Sequence, residues 1–136
     1  MARRIRVLLA KLGLDAHTIG VTVIAQAMRD AGMEVVYTGL RQTPEMVVNA
    51  AIQEGVDVVG LSSLSAAHMK HFPEVVRLLQ ERGAEEILIV GGGVIPEEDE
   101  AELIGAGLDR IFTMGTDTRE IVRYIEQRVR ERDESL

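Results

Sequence analysis

Short runs of branched apolar residues alternate with longer stretches of helical periodicity throughout this chain, and that alternation restricts the fold more than any other feature. Ile5 to Ala10, Val56 to Leu61 and Ile87 to Val90 are short and apolar enough to be strands buried on both faces. Glu34 to Tyr37 and Arg110 to Phe112 are weaker strand candidates between helical stretches. The sequence therefore predicts five strands.

Helices are predicted after each of these strands. The first carries apolar residues at helical spacing from Val21 to Ala31 and ends at Gly32, a residue typical of helix C-termini. The second begins with Thr43 as N-cap and Pro44 at the first helical position, and it is expected to stop near Gly55. The other three are predicted over His68 to Arg82, Pro96 to Ile104 and Thr118 to Arg130.

A strand and a helix repeated five times with short connections predict an α/β fold. Right-handed crossovers make such a sheet parallel and place helices on both of its faces. We expect one domain over residues 1–136, with a five-stranded, doubly wound, flavodoxin-like (Rossmann-like) sheet and a frayed polar tail at about 131–136. Its ligand site should lie beyond the carboxyl ends of the strands, at the switch point between the first and third.

The composition argues against several classes of function. A formal net charge of -7 disfavours binding to nucleic acid, which needs a basic face. The chain has no Cys, which excludes disulfides, thiolate metal sites and thiol catalysis. The start, Met1 to Ile5, runs directly into an apolar segment too short for a signal peptide or a membrane span. A cytoplasmic protein without membrane contact is therefore expected.

Three polar or glycine-rich segments follow predicted strands. They are Lys11 to Gly20 after the first strand, Ser62 to Ser65 after the third and Gly91 to Gly93 after the fourth. Because the carboxyl ends of parallel strands meet at one edge, these segments can line one crevice. The glycine run lacks the Lys and Ser or Thr of a phosphate-binding loop, so it indicates a slot without side-chain bulk.

Asp15 and His17 can point to the same side of an extended loop, since they lie two positions apart. A carboxylate beside an imidazole fixes its tautomer, as a metal-ligating His requires. With three His and no Cys, the chain lacks the usual four ligands of a structural zinc site. A single His ligand suits a metal held by a macrocycle, either haem or a corrin, and the scarcity of aromatic residues favours a corrin.

Each of these residues also has an ordinary structural interpretation. His17 alone would be read as a solvated loop residue, and Gly20 as a helix-start residue. Ser62 and Leu64 alone would be turn residues that close a strand. His68 and His71 are expected to be partly exposed helix residues without a special role.

Taken together, however, the segments resemble the cobalamin-binding domain family. Its marks are Asp-x-His-x-x-Gly, Ser-x-Leu and Gly-Gly, and they stand here as Asp15 to Gly20, Ser62 to Leu64, and Gly92 with Gly93. Further segments resemble the acyl-CoA mutase branch, which includes methylmalonyl-CoA, isobutyryl-CoA and 2-hydroxyisobutyryl-CoA mutases. These segments are Lys11 to Gly13, Gly39-Leu40, Gln42 to Glu45, Gly60 to Leu64, Gly92 to Pro96 and Ile111 to Thr116.

The resemblance implies adenosylcobalamin as cofactor and His17 as the lower axial ligand to its cobalt, in place of the cofactor's own dimethylbenzimidazole. Asp15 would hydrogen-bond His17, with Lys11 behind it as a charge partner. The displaced nucleotide tail would occupy the slot between sheet and helix. The residues implied along that tail are Gly20, Ser62, Leu64, Gly92 and Gly93, with Gly115 and Thr116 near its far end.

The chain departs from the branch at Ala16, Thr18 and Ile19, which replace the common Gly, Asp and Arg. A polar contact normally made by that Asp or Arg is therefore in doubt, while the core Asp, His and Gly remain.

The resemblance also implies a carbon-skeleton radical rearrangement of an acyl-CoA, an isomerase (intramolecular transferase) activity. No part of this chain would enclose the acyl-CoA, so a large barrel-type subunit is expected as partner, and no catalytic residue is assigned to this chain alone. Methylmalonyl-CoA is the expected substrate, with 2-hydroxyisobutyryl-CoA and isobutyryl-CoA close behind.

Two alternatives compete with this interpretation. A corrinoid methyl carrier of a methyltransferase system usually has a helical cap before the sheet, whereas this chain reaches its first strand by Ile5. A phosphoacceptor receiver needs paired acids after the first strand and an Asp at the end of the third. Here Lys11 follows the first strand, and Asp57 is expected near the start of the third.

Overall fold

The computed structural model describes residues 4–11, 19–38, 42–63, 68–93, 95–113 and 115–135. Ten elements alternate along these ranges: β1 Arg6–Lys11, α1 Ile19–Asp30, β2 Glu34–Tyr37, α2 Pro44–Glu54, β3 Val58–Ser63, α3 His68–Glu81, β4 Leu88–Gly93, α4 Glu97–Ala106, β5 Arg110–Thr113 and α5 Thr118–Ser135. All paired strands are parallel, in the order β2-β1-β3-β4-β5. This confirms the predicted five-stranded doubly wound sheet.

Alternate residues of the strands face two separate layers of helices. Leu8, Val59 and Ile89 belong to the core packed under α2, α3 and α4. Val7 and Val58 belong to the core packed under α1 and α5. Because neighbouring side chains in a strand point to opposite faces, a central strand of this sheet has to be apolar on both. That requirement explains the continuous apolar runs in the sequence.

The second helix begins and ends as its sequence predicts. The Thr43 hydroxyl accepts a hydrogen bond from Met46 N at 3.2 Å, and Pro44 occupies the first turn. Gly55 closes the helix in the left-handed conformation, with φ at 61°. A Thr N-cap of this kind stabilises a helix by about 1 kcal/mol.

Several strand limits fall later than the apolar runs suggest, those of β3 and β4 by the most. β3 starts at Val58 rather than Val56. The Asp57 carboxylate accepts a hydrogen bond from the Arg6 amide at 2.9 Å, in the place where a backbone carbonyl of a longer strand would accept it. β4 continues to Gly93 rather than Val90, because the glycine backbone pairs with β3 and β5 on either side. Hydrogen bonds of backbone groups, which side-chain hydropathy does not report, set these two limits.

The prediction of a frayed tail is wrong for the described residues of the C-terminus. α5 continues to Ser135 instead of ending near Arg130. Arg132 explains the extension, since its guanidinium donates to the Asp57 carboxylate at 2.9 Å and to the Glu86 carbonyl at 3.2 Å. The last turn of α5 is therefore held against the amino edge of the sheet.

No helix within the described ranges has both the length and the apolar character needed to cross a bilayer.

Candidate binding site at the carboxyl edge of the sheet

The strands that precede the three predicted site segments end level with one another. Lys11 at the end of β1 pairs with Ser62 of β3, and Ser62 pairs with Gly92 of β4. β1 and β3 are neighbours at the centre of the sheet, where the chain changes its direction of winding. The predicted convergence of these strand ends at the switch point is thus confirmed.

On the face covered by α1 and α5, the ends of β3 and β4 carry only small residues. Val58 and Val90 belong to that face, so Gly60, Ser62 and Gly92 fall on it by alternation. Ser62 is half-buried, and its hydroxymethyl group is the bulkiest side chain that these three positions offer. The Leu9 side chain already fills the space over Gly60, where a Cβ would lie 2.7 Å from Leu9 Cδ2, so Ser62 and Gly92 are the two small residues of this set that could border a flat or extended group.

The glycine run of β4 serves different purposes at its three positions. A Cβ on Gly91 would lie 2.9 Å from side-chain carbons of both Ile111 and Phe72, so Gly91 is required by the protein's own core. A Cβ on Gly92 would lie 3.2 Å from the Phe112 carbonyl oxygen, and Gly93 has φ at 120°. The predicted slot is therefore wrong at Gly91 and stays a prediction for Gly92 and Gly93.

Gly115 and Thr116 form the turn that follows β5. Gly115 is exposed with φ at 92°, a conformation that favours glycine. Thr116 donates from both its amide and its hydroxyl to the Thr113 carbonyl, at 3.2 and 2.7 Å. β5 lies two strands from β3, which places this turn about 10 Å along the carboxyl edge.

The carboxylate at the beginning of α5 is strongly acidic. Asp117 accepts hydrogen bonds from the Arg119 guanidinium at 2.9 Å and from the Arg119 amide at 2.9 Å. These bonds lower the pKa of Asp117 to about 2. Asp117 is therefore ionised at ordinary pH, and its charge is paired with the Arg119 guanidinium beside the Gly115–Thr116 turn.

The structure describes only some of the other predicted site residues. Asp15, His17 and Leu64 lie outside the described residues. Lys11 is the last residue of β1, and Gly20 is the second residue of α1. In the ranges that are described, no three His, Asp or Glu residues are grouped so as to hold a metal ion. The proposed cobalt ligand is consequently a sequence-based prediction.

Two polar residues near this edge were not assigned a role from the sequence. Gln42 is only 9 % exposed, and its side-chain amide donates to the Thr38 carbonyl at 3.1 Å. Its signal in the sequence is its position directly before the Thr43–Pro44 helix start. His71 is half-buried in the first turn of α3, and its Nδ1 has no hydrogen-bond partner in the described part of the chain.

A cavity of about 270 Å³ lies at the opposite, amino edge of the sheet, between α3, β4 and α5. The arginines that line it are already paired, Arg128 with Asp109 at 3.4 Å and Arg132 with Asp57 at 2.9 Å. Hydrogen bonds to Asp57 and Asp133 outweigh the opposing effect of burial and raise the pKa of Arg132. These two ion pairs stabilise the fold, and we assign no ligand to this cavity.

The acid pattern of a phosphoacceptor receiver is not found in the described strands. β3 ends in Ser62 and Ser63, and Asp57 precedes that strand at the amino edge. Asp57 is buried and bonded to Arg6 N and Arg132, so it faces away from the carboxyl edge.

Residues 5–123 match the model of the B12 binding domain family. The chain is 50% identical over 125 residues to the 2-hydroxyisobutanoyl-CoA mutase small subunit of Aquincola tertiaricarbonis, covering 92% of each chain. It is 42% identical to the pivalyl-CoA mutase small subunit of Xanthobacter autotrophicus, covering 90% of this chain and 82% of that one. It is 43% identical to a methylmalonyl-CoA mutase of Cereibacter sphaeroides, covering 95% of this chain but only 18% of that protein.

Solved structures are similar at the level of the fold. A cobalamin-binding protein from Desulfitobacterium hafniense superposes with a TM-score of 0.79 at 24% identity, over 93% of this chain and 60% of that one. A response regulator receiver domain protein from Methanospirillum hungatei gives 0.73 at 12% identity, over 98% of this chain and 100% of that one. At these identities the likeness shows a shared sheet topology alone.

Proposed function

Because the chain belongs to the B12-binding domain family, we propose that it is the small cobalamin-binding subunit of an adenosylcobalamin-dependent acyl-CoA mutase. The observation that carries this proposal is the similarity, over nearly the full length of both chains, to a protein that is itself a mutase small subunit. The partner would be a large subunit that encloses the acyl-CoA, as a barrel-type domain can. The large relatives support this, since the chain matches less than a fifth of their length.

When bound, the cofactor would supply the radical chemistry of the acyl-CoA rearrangement. The chain's own residues would bind and orient it. His17 would hold the cobalt through one ring nitrogen. Asp15 would accept a hydrogen bond from the other ring nitrogen and so fix the tautomer, with Lys11 as the charge partner of Asp15.

The nucleotide tail of the cofactor would lie between the sheet and helices α1 and α5. The small residues that β3 and β4 place on that face, Ser62 and Gly92, support this position. Gly20 at the start of α1, Leu64 and Gly93 would complete its walls. The exposed Gly115–Thr116 turn would contact its far end.

The support for a particular acyl-CoA substrate comes from the relatives alone. Relatives named for different acyl-CoA substrates resemble this chain at 42 and 50% identity, and the pocket for the acyl-CoA is proposed to lie in the large subunit. That methylmalonyl-CoA is the substrate stays a prediction. The greater identity to the 2-hydroxyisobutanoyl-CoA mutase small subunit gives 2-hydroxyisobutyryl-CoA the stronger support.

An absorbance titration with adenosylcobalamin tests the proposal, with wild type beside His17→Ala. We expect wild type to convert the cofactor to its base-off spectrum and the variant to bind it weakly or with an altered spectrum. Isomerisation of an acyl-CoA should then require both this chain and a large subunit. Turnover by this chain alone, or no binding with and without the large subunit, would contradict the proposal.

A further inference from the structure

The row of small residues on the face under α1 and α5 ends at an aromatic ring on β5. Ser62, Gly92 and Phe112 are paired in register across β3, β4 and β5, and Phe112 belongs to the core on that face. Two strand spacings, about 10 Å, separate Ser62 from Phe112. Among the described residues, a Cβ on Gly92 would meet only the Phe112 carbonyl oxygen within 4 Å. The Phe112 ring is therefore the first bulky group beyond Ser62 in this row.

Two side chains hold the Phe112 ring in place. Tyr124 of α5 packs edge-on against it, with the ring centroids 5.6 Å apart and the ring planes at 76°. The Arg110 guanidinium lies 5.0 Å from the centroids of both rings. Arg110 precedes Phe112 by two positions on β5, so both side chains lie on one face of the strand. The ring is thus supported from α5 and from the amino side of the sheet.

The two supporting residues have further contacts of their own. The Tyr124 hydroxyl donates to the Asp109 carbonyl at 3.2 Å. Nη2 of Arg110 lies 3.5 Å from Oε1 of Glu120, and an exposed ion pair of this kind contributes little to stability. A cation over an aromatic ring contributes at least as much at an exposed site, and this one guanidinium makes two such contacts. The main effect of Arg110 is therefore to order the aromatic pair.

We infer that Arg110 is a positioning residue for the nucleotide tail of the cofactor. By holding Phe112 against Tyr124, it keeps the Phe112 ring from turning into the space over Gly92. The base of the tail then meets a border that is already in place, which lowers the entropy lost on binding. This inference rests on the proposed function, because it assumes that the tail lies between the sheet and helices α1 and α5.

The full chain with Arg110→Met or Arg110→Lys tests this role. Met removes the charge, whereas Lys keeps a cation that an aromatic ring attracts. Each variant is titrated with adenosylcobalamin and with adenosylcobinamide, which has the same corrin but no nucleotide tail. We expect Arg110→Met to weaken adenosylcobalamin binding about fivefold, the effect of one or two exposed cation–π contacts, and to leave adenosylcobinamide binding unchanged. Arg110→Lys should restore most of the lost affinity.

Arg123→Met and Glu120→Gln are the matched controls. Arg123 is another exposed arginine near the aromatic pair in sequence, and Glu120 is the carboxylate that faces Arg110. Glu120→Gln removes the charge of that carboxylate while both ring contacts of Arg110 remain. We expect both control variants to bind the two corrinoids as wild type does, with all titrations made where urea curves show each variant fully folded.

The two corrinoids separate failure of the positioning role from failure of the proposed function. If Arg110→Met weakens both corrinoids equally, or neither, the positioning role is wrong and the proposed function stands. An equal loss of adenosylcobalamin affinity in Arg123→Met would also overturn the role, because the effect would then not depend on the ring contacts. No binding of adenosylcobalamin by wild type, alone or with a large subunit, would overturn the proposed function and this inference with it.

Discussion

The Arg132 guanidinium donates from Nη2 to Oδ1 of Asp57 at 2.9 Å, joining the last turns of α5 to the start of β3 across 75 positions of sequence. The same guanidinium donates to the backbone carbonyls of Asp57 and Glu86. Its side chain is 12% exposed and that of Asp57 10%, so water screens the pair little. This pair holds α5 at the amino edge and leaves the helix's beginning beside the candidate site.

Arg132→Met should therefore lower the free energy of unfolding by about 3 kcal/mol, because it removes a charged partner of a buried carboxylate, which keeps the Arg6 amide at 2.9 Å, and a donor to two carbonyls. Urea unfolding at neutral pH measures the loss. Arg130→Met is the control, since Arg130 is exposed on the same helix, and its effect should stay within about 0.5 kcal/mol. Equal losses of unfolding free energy in the two variants would show that the Arg132–Asp57 pair contributes no more to stability than an exposed arginine does.

The parallel sheet and the helices were predictable from the sequence because they rest on local patterns, whereas the cofactor class followed from the resemblance of three motifs to the cobalamin-binding domain family. Apolar runs mark buried strands, and Thr43–Pro44 marks a helix start. The role of Arg132 was not predictable, since its partner lies in a distant segment and a polar tail reads as frayed. Gly91 was misread for the same reason, because only the packed structure brings Phe72 and Ile111 against it. A cytoplasmic location stays a prediction.

Gly91→Ala should destabilise the protein by about 1–3 kcal/mol, since its Cβ would overlap two core side chains. Gly105→Ala is the opposite case. Gly105 lies within α4, and a Cβ there would meet nothing within 4 Å, so the change should stabilise by about 0.5–1 kcal/mol. Thermal unfolding of both variants checks the pair, and a neutral Gly91→Ala would mean that the core is looser than described.

Ser62→Leu should reduce cobalamin affinity at least tenfold, since it fills the face between the sheet and helices α1 and α5 where the nucleotide tail is proposed to lie. Ser62 is only half-buried, so the free energy of unfolding should change by about 1 kcal/mol or less. Thr113→Leu is the control at the same edge, because Thr113 is exposed and belongs to the opposite face by alternation. Isothermal titration calorimetry measures both, and unchanged binding by Ser62→Leu would place the tail elsewhere.

Asp117 should titrate well below an ordinary aspartate, since Arg119 lowers its pKa to about 2. Because the folded pKa lies below the unfolded one, the contribution of this group to stability is present above about pH 4 and is lost as the pH falls through about 2. Carbon-13 NMR of the labelled carboxylate gives the value directly. Arg119→Gln should return the pKa of Asp117 toward its usual range, and an unchanged pKa in that variant would rule out the Arg119 guanidinium as the cause.

The central claim is that His17 of this chain is the lower axial ligand of cobalt. Electron paramagnetic resonance of bound cob(II)alamin tests it most directly, with the protein labelled uniformly with nitrogen-15 and the cofactor at natural abundance. The account predicts that labelling converts the axial nitrogen splitting from triplets to doublets, and that His17→Ala removes this splitting. Triplets that persist in the labelled protein would show that the cofactor keeps its own base, and the assignment of His17 would be wrong.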